Sequence, residues 1–266
     1  MSGYRSKKRL GQNFLKSDKV IAEIVRLVND GSEDTIVEIG PGRGALTRPL
    51  AESGLRLVAV EFDRDLAPRL RRELERYDNL SIIQQDILDF DPSAHGLESF
   101  AVAGNLPYNI TSPVLEWVVE RRRSIRRAVL MMQREVAARV AGSPGGKDWS
   151  PLSIFTQLHY DVEIAFTVPP GAFEPPPKVT SAVVVLTPHD SIRILHPDAF
   201  ERIVRQSFAQ RRKLLVNNLN PLVETTPSRL RHTLESLGLP ANVRAEQMSI
   251  GDFTRLTDRL LDEGLI

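Results

Sequence analysis

The chain contains no cysteine, which excludes disulfides, thiolate metal sites and cysteine nucleophiles together. No apolar run approaches the roughly 18 residues that a membrane helix needs. The five histidines (His95, His159, His189, His196 and His232) are scattered without ligand spacing, so no metal site is expected. Internal repeats and low-complexity segments are absent. Residues 1–9 are polar and basic with no hydrophobic stretch behind them, unlike a signal peptide. These absences lead to the expectation of a cytoplasmic protein with no membrane partner. What is present suits a soluble globular fold: 266 residues, 41% hydrophobic and 26% charged. That is enough for one large domain plus a small one.

The formal net charge is only +1, but the cations are gathered in patches. Residues 1–16 carry Arg5, Lys7, Lys8, Arg9 and Lys16 without an acid, and residues 121–127 contain five arginines. Arg211-Arg212-Lys213 lies in a stretch where Arg202, Arg205, Arg229 and Arg231 outnumber the acids. Local basic patches on a near-neutral chain suit a polyanion read on one face. A solvated helix or loop surface is the other reading of each patch.

From residue 35 the pattern alternates β-branched runs with helical stretches. Strands are expected at 35–39, 56–62, 80–84, 100–103 and 128–132, and helices at 45–53, 66–77, 112–120 and 134–140. This alternation predicts a parallel, doubly wound sheet. Two further strands, 161–168 and 180–187, have no long helix between them and predict an antiparallel edge. Only helical patterns follow, at 198–210, 213–219, 227–237 and 250–261, with Asp198 and Ser249 as N-caps and Gly238 as a stop. The expected division is a catalytic domain over 1–188 and a small helical domain over 189–266. Residues 142–146, Gly-Ser-Pro-Gly-Gly, read as a mobile loop.

Three successive strand ends carry polar signals. The first runs into Glu38-Ile39-Gly40-Pro41-Gly42-Arg43-Gly44, where glycines allow a tight turn and close approach of a ligand. The spacing is not the Gly-x-Gly-x-x-Gly of dinucleotide folds; a glycine turn with no ligand is the alternative. The second strand ends at Glu61, whose carboxylate can accept from both hydroxyls of a ribose. At the third, Asp86 can accept from the amino group of a nucleobase and Ile87 can pack on the base. Asp86 is equally suited to cap a helix. Together the three ends describe adenosine binding without a phosphate cradle.

The fourth strand ends in Asn105-Leu106-Pro107-Tyr108. An adenine amine is a poor nucleophile because its lone pair is delocalised into the ring. The Asn105 side-chain oxygen and the Leu106 carbonyl can accept its hydrogens and favour a more tetrahedral nitrogen. Pro107 stiffens the loop, and Tyr108 offers a ring for stacking. Further on, the rigid run Phe173-Glu174-Pro175-Pro176-Pro177-Lys178 can present Phe173 at a fixed angle. A stiff connection with Phe173 in the core is the other reading. Arg211, Arg212 and Lys213 are candidates for phosphate contact.

In these motifs the chain resembles the ribosomal RNA adenine N6-dimethyltransferase family, in its small-subunit branch, from end to end. The resemblance rests also on Leu10-Gly11-Gln12-Asn13-Phe14-Leu15, on Val179-Thr180-Ser181 after the proline run, and on Phe208-Ala209-Gln210-Arg211-Arg212-Lys213. It implies a Rossmann-like methyltransferase domain plus a helical RNA-binding domain. The implied cofactor is S-adenosylmethionine, leaving as S-adenosylhomocysteine. Asn13 and Leu15 would close over it, Gly40 and Gly42 would line it, Glu61 would hold the ribose and Asp86 with Ile87 the adenine. Asn105 would sit where cofactor meets target base, with Tyr108 and Phe173 stacking on a flipped adenine. Lys7, Lys8 and Arg9 would join 211–213 on the RNA. The implied reaction places two methyl groups on each of two adjacent adenosines in the 3′-terminal hairpin loop of small-subunit ribosomal RNA. The implied partner is the assembling 30S particle, met by a monomer. The rivals are the large-subunit branch, a ribosome-assembly or transcription factor that has lost chemistry, and a nicotinamide dehydrogenase. The intact Asn-Leu-Pro-Tyr string argues against the second, and the glycine spacing against the third.

Overall fold

The computed structural model describes residues 12–31 and 33–266. Two compact units divide the chain, one ending at Ala138 and resuming over Tyr160–His189, the other formed by Arg139–His159 and Asp190–Ile266.

The first unit is built on a seven-stranded sheet. In chain order its strands are β2 (Thr35–Ile39), β3 (Arg56–Glu61), β4 (Leu80–Gln84), β5 (Phe100–Asn105), β6 (Ile125–Gln133), β7 (Tyr160–Val168) and β9 (Ser181–Pro188). They lie in the order β4-β3-β2-β5-β6-β9-β7. The first five run parallel, while β9 is antiparallel to both β6 and β7. The antiparallel edge is therefore present, with β9 inserted as the inner of its two strands. Its parallel strands are apolar on both faces because both are covered. Ile36, Leu57, Ala101, Ala103, Val129 and Met131 form one buried set with Ile24, Val28 and Leu50 of helices α1 (Asp18–Val28) and α2 (Thr47–Glu52). The alternate set, including Val37, Ile39, Val58, Val60, Val102 and Leu130, is buried as well.

The chain winds outward from β2 through β3 to β4, then crosses back to place β5 on the other side of β2. A sheet of this kind opens a crevice at the carboxyl ends of its strands, where the winding reverses. Here that point lies between β2 and β5, in register Ile39↔Gly104. The sheet thus brings the glycine loop after β2 next to Asn105. Helices α3 (Leu66–Glu73), α4 (Thr111–Glu120) and α5 (Arg134–Val140) follow β3, β5 and β6. A second, two-stranded sheet pairs β1 (Phe14–Leu15) with β8 (Phe173–Glu174).

The second unit has its own core. Trp149, Ile154 and Leu158, around α6 (Pro151–Gln157), are packed with buried residues of α7 (Pro197–Ser207), α8 (Leu215–Leu219), α9 (Pro227–Ser236) and α10 (Ile250–Asp262). This corrects the expected boundary. Residues 139–159 go with the helices because their large apolar side chains are buried there, and the Trp149 indole N–H donates to Met248 O at 2.8 Å. The loop at 142–146 is likewise tied into this unit, Gly145 N donating to Glu246 O at 2.6 Å and Gly146 N to Ser143 O at 3.0 Å. Of the expected caps, Ser249 accepts from Asp252 N, whereas the N-cap of α7 is His196, two residues before the expected Asp198, which lies in the first turn behind Pro197 at the first position. Proline suits that position because its missing N–H has no partner to lose. Gly238 follows α9 at φ 76°.

Candidate active site

A cavity of about 300 Å³ opens at the carboxyl ends of β2, β3, β4 and β5. Asn13, Leu15, Gly40, Gly42, Glu61, Asp86, Ile87, Asn105, Leu106, Pro107 and Tyr108 all line it. Segments as far apart as residues 13 and 108 are thus gathered in one place.

The glycine loop folds back under the second strand end. Gly40 and Gly42 have φ of 65° and 59°, a region that costs a residue with a side chain. At Gly42 a Cβ would also stand 3.1 Å from the Phe14 ring. Gly42 N donates to Glu61 Oε2 at 2.9 Å and Asp63 N to Glu61 Oε1 at 2.7 Å. Both oxygens of the buried Glu61 are thereby fixed. Asp63 is held in turn by Gln12 Nε2 at 3.0 Å and by Asp65 N at 2.9 Å. Asp86 caps the 3₁₀ turn at Ile87–Asp89, its Oδ1 accepting from Leu88 N at 3.0 Å. The capping role is therefore real, and among the described residues Oδ2 has no hydrogen bond.

The loop after β5 is fixed at each residue that matters. Leu106 is buried and its N–H donates to Met131 O at 2.9 Å. The Tyr108 hydroxyl pairs with Ser181 Oγ at 2.9 Å, and burial holds that phenol above its usual range. Asn105 Nδ2 donates to Asn13 O at 2.9 Å. That bond uses one of the two N–H groups and fixes the plane of the amide, so its carbonyl oxygen is held as an acceptor.

Phe173 is a correction. Its ring is 1% exposed, packed with Leu15, Val168 and Ala172, and does not line the cavity. Pairing of β8 with β1 places Phe173 opposite Leu15 and turns both into the core. It is no stacking surface here.

Three further cavity residues escaped the sequence reading. Phe62, directly after Glu61, lines the cavity and is 57% exposed although large and apolar. Gln12 lines the cavity directly and donates to Asp63 Oδ2. Glu38 is 1% exposed, and its Oε2 has no hydrogen-bond partner.

The candidate RNA contacts divide. Lys7, Lys8 and Arg9 lie outside the described residues. Arg211, Arg212 and Lys213 sit in the exposed turn after α7, in the second unit. Arg211 is engaged there, donating to Lys147 O and lying 3.4 Å from Glu246. Among the described residues, no group of acids and histidines is arranged to hold a metal. No helix among them is long and apolar enough to cross a membrane.

The cavity's electrostatics select its ligand. Among the described residues, Glu38, Glu61 and Asp86 line it against one guanidinium, that of Arg43, which lies 4.4 Å over the Phe14 ring and 3.7 Å from Glu174. An acid-rich pocket with ribose and base acceptors on neighbouring strands fits a nucleoside carrying positive charge and repels a pyrophosphate. S-Adenosylmethionine meets that description. The fold and this site are those of a class I methyltransferase.

Comparison with known proteins narrows the class. A sequence model described as ribosomal RNA adenine dimethylase matches residues 3–262, and the chain belongs to that family. Ribosomal RNA small subunit methyltransferase A of Pseudomonas fluorescens is 43% identical over 98% of this chain and 96% of its own. The protein of the same name from Acidobacterium capsulatum is 43% identical over 97% and 92%. Among solved structures, a dimethyladenosine transferase from Plasmodium falciparum superposes with a TM-score of 0.80 at 25% identity, covering 95% of this chain and 98% of its own. The 23S rRNA methyltransferase ErmE gives 0.73 at 28% identity, covering 93% and 99%.

Proposed function

We propose that the chain transfers methyl groups from S-adenosylmethionine to N6 of two adjacent adenosines in the 3′-terminal hairpin loop of small-subunit ribosomal RNA. Two methyls go to each adenosine, and the chain acts as a cytoplasmic monomer on the assembling 30S particle. The observation that carries this reading is the fixed amide of Asn105. An amine whose lone pair is delocalised needs hydrogen-bond acceptors, and the bond to Asn13 O holds the Asn105 carbonyl oxygen in a fixed orientation as one.

When bound, S-adenosylmethionine supplies an electrophilic methyl on a sulfonium sulfur. Glu61, held by its two backbone partners, accepts from the ribose hydroxyls. Asp86 Oδ2 accepts from the adenine amino group, with Ile87 and the exposed ring of Phe62 against the base. Asn105 Oδ1 and the Leu106 carbonyl accept hydrogen bonds from the target amine and orient its lone pair, and one proton leaves the nitrogen for solvent at each methylation. Tyr108 stacks on the target base. Arrangement of this kind acts through positioning more than through a strong base.

The small-subunit target is favoured over the large by the relatives. Those named for the small subunit share 43% of residues with this chain, against 28% for ErmE. Incubation with undermethylated subunits followed by primer extension on both ribosomal RNAs tests it, since a dimethylated adenine stops reverse transcriptase. New stops at two adjacent adenosines near the 3′ end of the small RNA are expected. Stops on the large RNA instead would overturn the assignment.

A further inference from the structure

The acids around the cavity are treated unequally. Glu61 accepts two backbone N–H groups and Asp86 accepts one, while Glu38 Oε2 is buried with no partner. The surroundings explain why. In the sheet Glu38 stands between Ala59 on β3 and Ala103 on β5, which offer no donor from their side chains. From α2 the Thr47 hydroxyl acts on it as a weak donor that falls short of a full hydrogen bond. Among the described residues, the charged group acting on it is Glu61, of the same sign. The nearby guanidiniums are occupied: Arg43 lies over Phe14, and Arg48 is bonded to Arg43 O, Gly44 O and Glu73. A buried carboxylate without a counter-charge is expensive. Placed in a cavity wall, its missing counter-charge can arrive with the ligand.

We propose that Glu38 is a proton-linked counter-ion for the positive charge of the bound cofactor, neutral while no cation is present and ionised when a sulfonium or ammonium group enters. This rests on the reading that the cavity takes S-adenosylmethionine. The step is a simple ionisation: the O–H bond of the carboxyl breaks, one proton passes to the buffer, and the carboxylate stays paired with the ligand. Burial pushes the Glu38 carboxyl up to about 8, with Thr47 opposing and the charge of Glu61 adding to the rise. The cation-free protein therefore carries the proton at neutral pH. Binding that requires its loss strengthens as pH rises toward 8 and levels off above it. Between pH 6 and 7 the affinity gains up to about tenfold.

Calorimetric titration of the full chain with S-adenosylmethionine at pH 7, in phosphate and in Tris, counts protons through the difference in buffer ionisation heat. About one proton released per ligand is expected. Glu38→Gln, which mimics the neutral carboxyl, is expected to release none and to bind equally well at pH 6 and 7. Titration with S-adenosylhomocysteine separates the two cationic groups, because it keeps the ammonium and lacks the sulfonium. Release with both ligands assigns Glu38 to the ammonium, and release with the methyl donor alone assigns it to the sulfonium. A binding heat independent of buffer in the wild-type chain, or undiminished release from Glu38→Gln, overturns the proposal. No binding heat at all has a different signature, and overturns the cofactor reading beneath it.

Discussion

The loop at 105–108 and the turn at 208–213 are the two stretches where sequence pattern points most directly to RNA, and they are built on opposite principles. In the loop, Asn105, Leu106 and Tyr108 are each tied to a different segment, at Asn13, Met131 and Ser181. In the turn, Arg211 is tied to Lys147 and Glu246, but the side chains of Arg212 and Lys213 are exposed and make no hydrogen bond or ion pair among the described residues. The difference follows from what each has to do. Directing a lone pair at a carbon tolerates errors of tenths of an ångström, so its acceptors must be fixed beforehand. Neutralising phosphates is a longer-range task that long, mobile cations perform without being placed.

Substitutions should expose this contrast. Asn105→Ala removes the held acceptor, and methyl transfer should fall by a factor on the order of 10³ while cofactor affinity changes little. A tritium-methyl assay beside a calorimetric titration checks both. Glu61→Ala deletes the ribose acceptor and leaves Gly42 N and Asp63 N unpaired, so the Kd for S-adenosylmethionine should rise about 100-fold. Tyr108→Ala should lower kcat/KM roughly 10- to 30-fold, the worth of one base stacked on a ring. Tyr108→Phe should keep most of the activity, since the ring remains and only the Ser181 bond is lost. The smallest effect is expected at the turn. Arg212→Ala with Lys213→Ala should raise KM a few-fold at moderate salt and flatten the salt dependence of RNA binding by about 2 in log–log slope. Loss of transfer from the turn variant comparable to that from Asn105→Ala would erase the distinction between the two regions.

Much of the sheet was legible because parallel strands buried on both faces read as unbroken β-branched runs bounded by glycine or polar ends. The strand-end residues were legible for the same reason, since a sheet of this topology makes its carboxyl ends a site. Short pairings were not legible. The strands β1 and β8 have two residues each, too few for any periodicity, and they turned Phe173 from a presumed stacking ring into core. Helix α1 did carry a signal, with apolar residues at 20, 21, 24, 25 and 28, but lies ahead of the strands from which the alternation was read. The assignment of 139–159 to the helical unit depends on where Trp149 is buried, a long-range fact that local pattern does not contain. Glu38 looked like one letter of a glycine motif, because nothing in a single sequence shows that its neighbours across the sheet are alanines.

The central claim is that the 105–108 loop holds an amine in line with a sulfonium carbon. A crystal structure of the chain with S-adenosylmethionine bound tests it most directly. The account predicts the ribose on Glu61, the adenine at Asp86, and the donor methyl facing Asn105 Oδ1 with the Asn13 bond intact. A ligand lodged elsewhere, or an Asn105 side chain turned away from that methyl, would contradict it.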